Sequence, residues 1–182
     1  MRRTISPALA ALGLFWLALG GCAGYASWPP VDGGSVISDP NNPPMPAILI
    51  SAYKFMEKEY PPASSDGRFA INLPSGLLHR NYAFVARHVG PNAAPLTPEN
   101  EASLPVYHVE RVRIRGTEAQ VEMVYPSTTL GSGPGGGAVW QGVRLRMQRT
   151  AGNWKVTTRR EWAPGVAQPP PPFYFDASRA GN

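Results

Sequence analysis

The chain predicts an α+β fold: two helices packed on a four- to five-stranded antiparallel sheet, with a disordered signal and tether before it and a Pro-rich tail after it. Three observations lead there. Apolar residues recur at helical spacing in two segments between residues 47 and 89. After residue 103 the period changes from 3.6 to 2. Two turn signals, Gly116-Thr117 and Thr150 to Asn153, then divide pairs of alternating runs. Helical segments followed by strand segments segregate into a helix-backed antiparallel sheet.

Residues 1–21 read as an export signal. Arg2 and Arg3 open it, and Ala8 to Leu19 is almost wholly apolar. A dozen residues span about 18 Å as a helix, short of the roughly 30 Å hydrocarbon core, so the run is a signal core rather than an anchor. Leu19-Gly20-Gly21-Cys22 closes it with small side chains. This tetrad resembles the lipobox of bacterial lipoproteins. The resemblance implies cleavage before Cys22, a diacylglyceryl thioether on its thiol and acylation of the freed amine. Cys22 is also the only cysteine of the chain, so lipidation accounts for an otherwise odd exported thiol and no intramolecular disulfide forms. Ala23 follows where retained inner-membrane lipoproteins commonly carry Asp, which implies the periplasmic face of an outer membrane. The continuation after Arg2-Arg3 lacks the rest of a twin-arginine signal, which favours the general secretory route.

Residues 22–46 read as a lipidated tether rich in Gly, Pro, Ser, Asn and Asp. From Ala23 to Pro46 its reach is at most about 80 Å extended and about 27 Å as a coil, holding the domain off the lipid.

The domain occupies residues 47–162. Ala47 to Tyr60 carries Ile48, Ala52, Phe55 and Met56 on one stripe, with Lys54, Glu57 and Lys58 opposite and Pro61-Pro62 as a stop. Phe69, Ile71 and Leu73 alternate as a short strand. Ser75 caps a second helix with Leu78, Tyr82, Val85 and Val89 inward, ended by Gly90-Pro91. Residues 91–103 read as a polar loop. Beyond it, a two-residue type II′ turn at Gly116-Thr117 sets Arg115 opposite Glu118, Arg113 opposite Gln120 and Arg111 opposite Glu122. The other face of the same register pairs Ile114 with Ala119 and Val112 with Val121, and a bulge near His108 to Glu110 keeps Glu110 off the apolar side. A second hairpin alternates Val143, Leu145 and Met147 with Arg144, Arg146 and Gln148, then returns through Trp154 and Val156. The two hairpins, ending in Trp154-Lys155-Val156, are similar to the sheet half of the nuclear transport factor two-like or cystatin-like folds. Residues 163–182 form the tail, where Pro169 to Pro172 favour an extended polyproline segment and Phe173, Tyr174 and Phe175 are expected to dock on the domain.

Chemistry is sparse. His79, His88 and His108 make no metal-ligand spacing and read as surface or helix-end histidines. Gly131 to Gly137 lacks the Lys-Ser/Thr pair of a phosphate cradle, no serine sits in a nucleophile elbow, and Glu57 and Glu59 lie among lysines. No catalytic residue, metal ligand or cofactor is assigned. With Arg2 and Arg3 gone, 15 cations face 12 acids, too weak a surplus for nucleic acid. Proline (21) and glycine (19) together fall short of the roughly 25–30% of low-complexity chains, which leaves room for a core.

One polar feature stands out. Arg111, Arg113, Arg115, Arg144, Arg146 and Arg149 share a sheet face if the hairpins are neighbours, and Arg111, Arg113, Arg144 and Arg146 are its candidate anion-binding residues. The plainer account is a solvated face answered by Glu118 and Glu122. Trp140, Trp154 and Trp162 read as packing. The expected function is an envelope lipoprotein, held to the membrane by lipid on Cys22, with a non-enzymatic binding or scaffold domain for an envelope protein or anionic polymer. The alternative is a small enzyme with a pocket between helices and sheet.

Overall fold

The computed structural model describes residues 24–127 and 138–180. The signal, the Leu19-Gly20-Gly21-Cys22 tetrad and the Gly131 to Gly137 run lie outside the described residues. In chain order the elements are β1 (Ala26–Trp28), β2 (Ser35–Val36), α1 (Met45–Glu59), β3 (Phe69–Asn72), α2 (His79–Val89), β4 (Ala93–Pro95), α3 (Pro98–Glu101), β5 (Val106–Arg115), β6 (Glu118–Pro126), β7 (Trp140–Thr150) and β8 (Asn153–Glu161). A 3₁₀ turn at Ala177–Arg179 ends the described chain. The class is α+β, and no described helix is long and apolar enough to cross a membrane.

The two hairpins form four consecutive strands of the sheet, with β8 at its edge, and their registers follow from residues close in sequence. β5 meets β6 with Arg115 opposite Glu118, Arg113 opposite Gln120, Arg111 opposite Glu122 and Val112 opposite Val121. The register shifts between Val109 and Arg111, so Glu110 bulges out and remains exposed. At the turn Gly116 has φ 58° and Thr117 is not positive, the φ pattern of type II′. β7 and β8 turn through Ala151 and Gly152, with φ 49° and 85° between paired Thr150 and Asn153, the pattern of type I′. A second shift follows Arg146, where Thr157 Oγ1 donates to the Arg146 carbonyl at 3.2 Å.

The sheet is larger than expected, with eight strands in place of four to five, and it is not wholly antiparallel. Its path runs β2-β1-β5-β6-β7-β8. The edge of long β5 away from β6 is shared: β1 pairs antiparallel with residues 112–114 and β3 pairs parallel with residues 106–108. β4 adds to β3, and β2 to β1, both parallel. The extra strands come from segments read as irregular. In the expected tether, Ala26–Trp28 completes the open edge of β5 and Trp28 is buried, its Nε1 donating to the Ser75 carbonyl at 3.1 Å. In the expected loop of residues 91–103, β4 continues the sheet, and Thr97 with Asn100 forms a capping box on the short α3. A three-residue strand shows no period, so pattern alone does not reveal it.

The helices cover one face of this sheet. Ile48, Leu49, Ala52, Tyr53 and Met56 of α1 pack with Tyr82, Val85, Ala86 and Val89 of α2 over Val112, Val121, Val143 and Leu145. Two readings of α2 change. Ser75 is not its cap, since Leu78 stands at that position without a side-chain cap bond, and Leu78 is 44% exposed while Leu77 is buried. The strand at Phe69 is buried on both sides rather than alternating, because β3 has neighbours on both edges and layers on both faces. The tail is part of the fold, and Phe173 and Phe175 pack on the core.

Candidate functional site

Period-2 alternation and the observed neighbours place the arginines. β6 lies between β5 and β7, with Glu122 opposite both Arg111 and Arg144, and Gln120 opposite both Arg113 and Arg146. The polar face therefore carries rows of cations on either side of the acidic strand, on the side away from the helices.

Three of the four candidate arginines converge on one carboxylate. Arg144 donates to Glu122 Oε1 through Nη2 at 2.6 Å and Nε at 3.0 Å. Arg111 Nη1 donates to Oε2 at 3.3 Å, and Arg113 Nη2 stands 3.7 Å from Oε1. Glu122 is 6% exposed, whereas its arginines keep a quarter to a third of their side chains in solvent. Arg111, Arg113 and Arg144 face two carboxylates, the central Glu122 and Glu110 at the side of the same depression, which leaves a formal surplus of one positive charge. Unit charges 4 Å apart interact by about 4 kcal/mol at the dielectric typical near a protein surface, so a cluster of this kind can attract an anion. Arg111 Nε is buried with no hydrogen-bond partner, a cost that the bond from its Nη1 to Glu122 offsets.

A trough of about 460 Å³ opens over this cluster. Its floor is Arg111, Arg113, Glu122 and Arg144; its wall is the chain from Trp162 to Gln168, which crosses the face beyond β8. Two backbone bonds hold the wall, from Trp162 N to the Gly142 carbonyl at 3.0 Å and from Gly165 N to the Trp140 carbonyl at 2.7 Å. Gly142 makes the approach feasible: a Cβ there would stand 2.9 Å from Trp162 Cε3 and 3.1 Å from Ala167 Cβ. The Arg144 guanidinium lies 5.5 Å from the centre of the Trp162 ring. The trough thus offers cations beside an indole, a fit for an anionic group on an apolar or ring-bearing body.

Arg146 is not part of this convergence. It lies one row along, beside a second depression lined by Tyr25, Arg115, Glu118 and Gln120. Arg149 does not share the face: it pairs with buried Trp154, so alternation puts it on the helix side at the strand's end. Arg160 of β8, opposite Arg144, does share it and was not singled out from the sequence. Nor was the 162–168 wall, because Trp162 read as packing and Ala163 to Gln168 as tail. Trp154 is core, and Trp140 packs edge-on to His108 at 5.1 Å.

A second polar centre lies in the interior, and here the expectation of surface histidines fails. His108 is buried, and its burial pushes its pKa down to about 4. Asn72 Nδ2 lies 3.0 Å from His108 Nδ1 and donates to the Pro171 carbonyl at 3.2 Å, and Asn72 Oδ1 accepts from Phe173 N at 2.9 Å. A neutral ring accepting at Nδ1 carries its proton on Nε2, which is buried without a partner. Asn72 is therefore a clip joining β3, β5 and the tail. His79 is half-buried under the tail, accepting from Asp176 N at 3.0 Å, and exposed His88 stacks on Phe84.

The space between helices and sheet, where an enzyme would hold its pocket, is filled by Tyr53, Phe69, Tyr82 and Tyr107, each 0–1% exposed. Among the described residues no group of three His, Cys, Asp or Glu is placed to hold a metal ion. Comparisons with protein families, with curated proteins and with solved structures find nothing that matches this chain.

Proposed function

We propose that the chain is an exported bacterial lipoprotein, cut before Cys22, anchored by lipid on that cysteine at the periplasmic face of an outer membrane, whose domain is a non-enzymatic binding module for an anionic polymer of the envelope. The convergence of Arg111, Arg113 and Arg144 on the single buried Glu122, in a trough walled by Trp162, carries the binding half of this reading. The Leu19-Gly20-Gly21-Cys22 tetrad after an apolar run carries the anchoring half. A filled interior supports the choice of a surface site over an enclosed one.

Each half has its own test. Cys22→Ser leaves the protein soluble in the exported compartment or uncut in the inner membrane, read by fractionation with and without detergent. Correct cleavage together with unchanged detergent-dependent retention removes the anchor from the reading. For the trough, retention on purified anionic cell-wall polymer is compared between the wild type and an Arg111→Gln, Arg144→Gln double variant over a salt series. The wild type is retained at low salt and released as ionic strength passes about 0.15 M, where the Debye length is about 8 Å. The double variant loses that retention, and equal retention of the two proteins argues against the site.

A further inference from the structure

We infer that the two hairpin tips of the sheet, the β5–β6 turn at Gly116-Thr117 and the β7–β8 turn at Ala151-Gly152, rest against the phospholipid headgroups of the membrane to which Cys22 is anchored. This rests on the lipid-anchor reading above and adds the orientation of the domain.

The sequence from Ala23 to Pro46 reads as a spacer tens of ångströms long, yet folded structure begins almost at once. Tyr25 OH donates to Glu118 Oε2 at 2.9 Å, and the Arg115 guanidinium stands 4.6 Å from the centre of the Tyr25 ring. Ala26–Trp28 then pairs with residues 112–114 of β5. Only Ala23 and Gly24 separate Cys22 from Tyr25, and at about 3.5 Å per residue the lipid-bearing residue lies within roughly 11 Å of Tyr25. Tyr25 is itself pinned beside the Gly116-Thr117 turn.

The second tip lies at the same place. Arg149 N donates to the Thr117 carbonyl at 2.9 Å, which joins the two turns into one end of the sheet. That end carries Arg115, paired with Glu118 at 2.7 Å, together with exposed Arg149 and Lys155. Its turn residues are Gly116, Thr117, Ala151, Gly152 and Asn153, with no large apolar side chain to enter hydrocarbon. Basic side chains and small polar turns suit the phosphate layer of a lipid surface and not its interior. The trough over Glu122 lies four residues up β5 from Arg115, about 13 Å along the strand, so it opens sideways above the headgroups. The opposite end, with Pro126, Trp140 and Glu161, points away from the membrane.

The test uses the full-length lipidated protein in vesicles of phosphatidylethanolamine and phosphatidylglycerol that contain a nitroxide-headgroup lipid. Because lipidation consumes the only native thiol, one introduced cysteine at a time carries a fluorophore. Asn153→Cys and Thr117→Cys report on the two tips. Lys58→Cys, near the end of α1 whose Glu59 pairs with Arg159, reports on the far end. Both tip labels are expected to be quenched severalfold more than the label at position 58. Equal quenching at the three sites, as when β1 peels away and the 23–46 segment becomes a loose tether, overturns it, as does stronger quenching at Lys58. Failure of the anchor reading is seen separately, as a wild-type protein whose Cys22 thiol still reacts with maleimide.

Discussion

At the scale of single residues, the polar groups that matter are those whose surroundings are one-sided. Glu122 faces three cations, and His108 meets Asn72 on one nitrogen while the other is buried without a partner. The histidine makes a pH prediction. An unfolded chain takes up this proton near pH 6.5, whereas the folded protein holds it off until about 4. Between those values the unfolded state binds more protons, so the contribution is intact above about 6.5 and is lost as the pH falls towards 4. The loss amounts to roughly 3 kcal/mol at 1.36 kcal/mol per unit. Urea denaturation from pH 7 to pH 4 shows this decline in the wild type and a much flatter profile in His108→Gln. Parallel profiles for the two proteins refute the assignment.

Among the elements, the hairpins contain the clearest local design and one local strain. Gly116 meets the positive φ of its type II′ turn without a penalty. The β7–β8 turn needs positive φ at both central residues but supplies Ala151, with φ 49°, before Gly152. A left-handed alanine costs about 1–2 kcal/mol from its Cβ, whereas asparagine tolerates that region and precedes glycine in favoured type I′ turns. Ala151→Asn is therefore expected to stabilise the protein by about 0.5–1 kcal/mol, seen as a higher urea midpoint at unchanged slope. A lower midpoint means that the turn is not of this type. The β5–β6 register was legible because its partners, from Arg115 and Glu118 to Arg111 and Glu122, are three to eleven residues apart across one short turn. Charge complementarity on one face and apolar pairing on the other then leave one solution, the bulge at Glu110 included.

Across the whole molecule, both ends of the described chain are sewn into the domain. Tyr25 and β1 close one end of the β5 edge, and the tail closes the other side through Asn72, through Phe175 N donating to the Leu96 carbonyl at 2.7 Å, and through Phe173 and Phe175 against Tyr82. Asn72→Ala leaves the Phe173 N–H, the Pro171 carbonyl and His108 Nδ1 without their partner. At about 1–3 kcal/mol for each buried group left unsatisfied, the expected loss is roughly 2–4 kcal/mol, discounted because the tail end is only partly buried. Limited proteolysis checks the route of that loss: the variant is cut first in residues 164–176, before the sheet. Cleavage that begins in the hairpins shows instead that Asn72 acts on the whole core.

The division between what pattern and tertiary structure each supplied follows sequence separation. The two main helices, the two hairpins and the side of the sheet that carries Arg111, Arg113, Arg144 and Arg146 are written in local spacing, so the sequence determined them alone. The fourth candidate, Arg146, and the misplaced Arg149 show the limit even there: membership of a face is local, but convergence on one carboxylate depends on which strand lies between. β1, β2 and β4 are too short to show a period: β1 forms on the part of the β5 edge that β3 leaves free, and β2 and β4 add to β1 and β3 in turn. Tyr25 meets Glu118 across 93 residues and Asn72 meets Phe173 across 101. No spacing rule reaches that far. Backbone groups and aromatic rings in Gly- and Pro-rich segments found partners only once the sheet offered them, and only the assembled fold turned an expected tether into a strand and an expected tail into a wall and a strap.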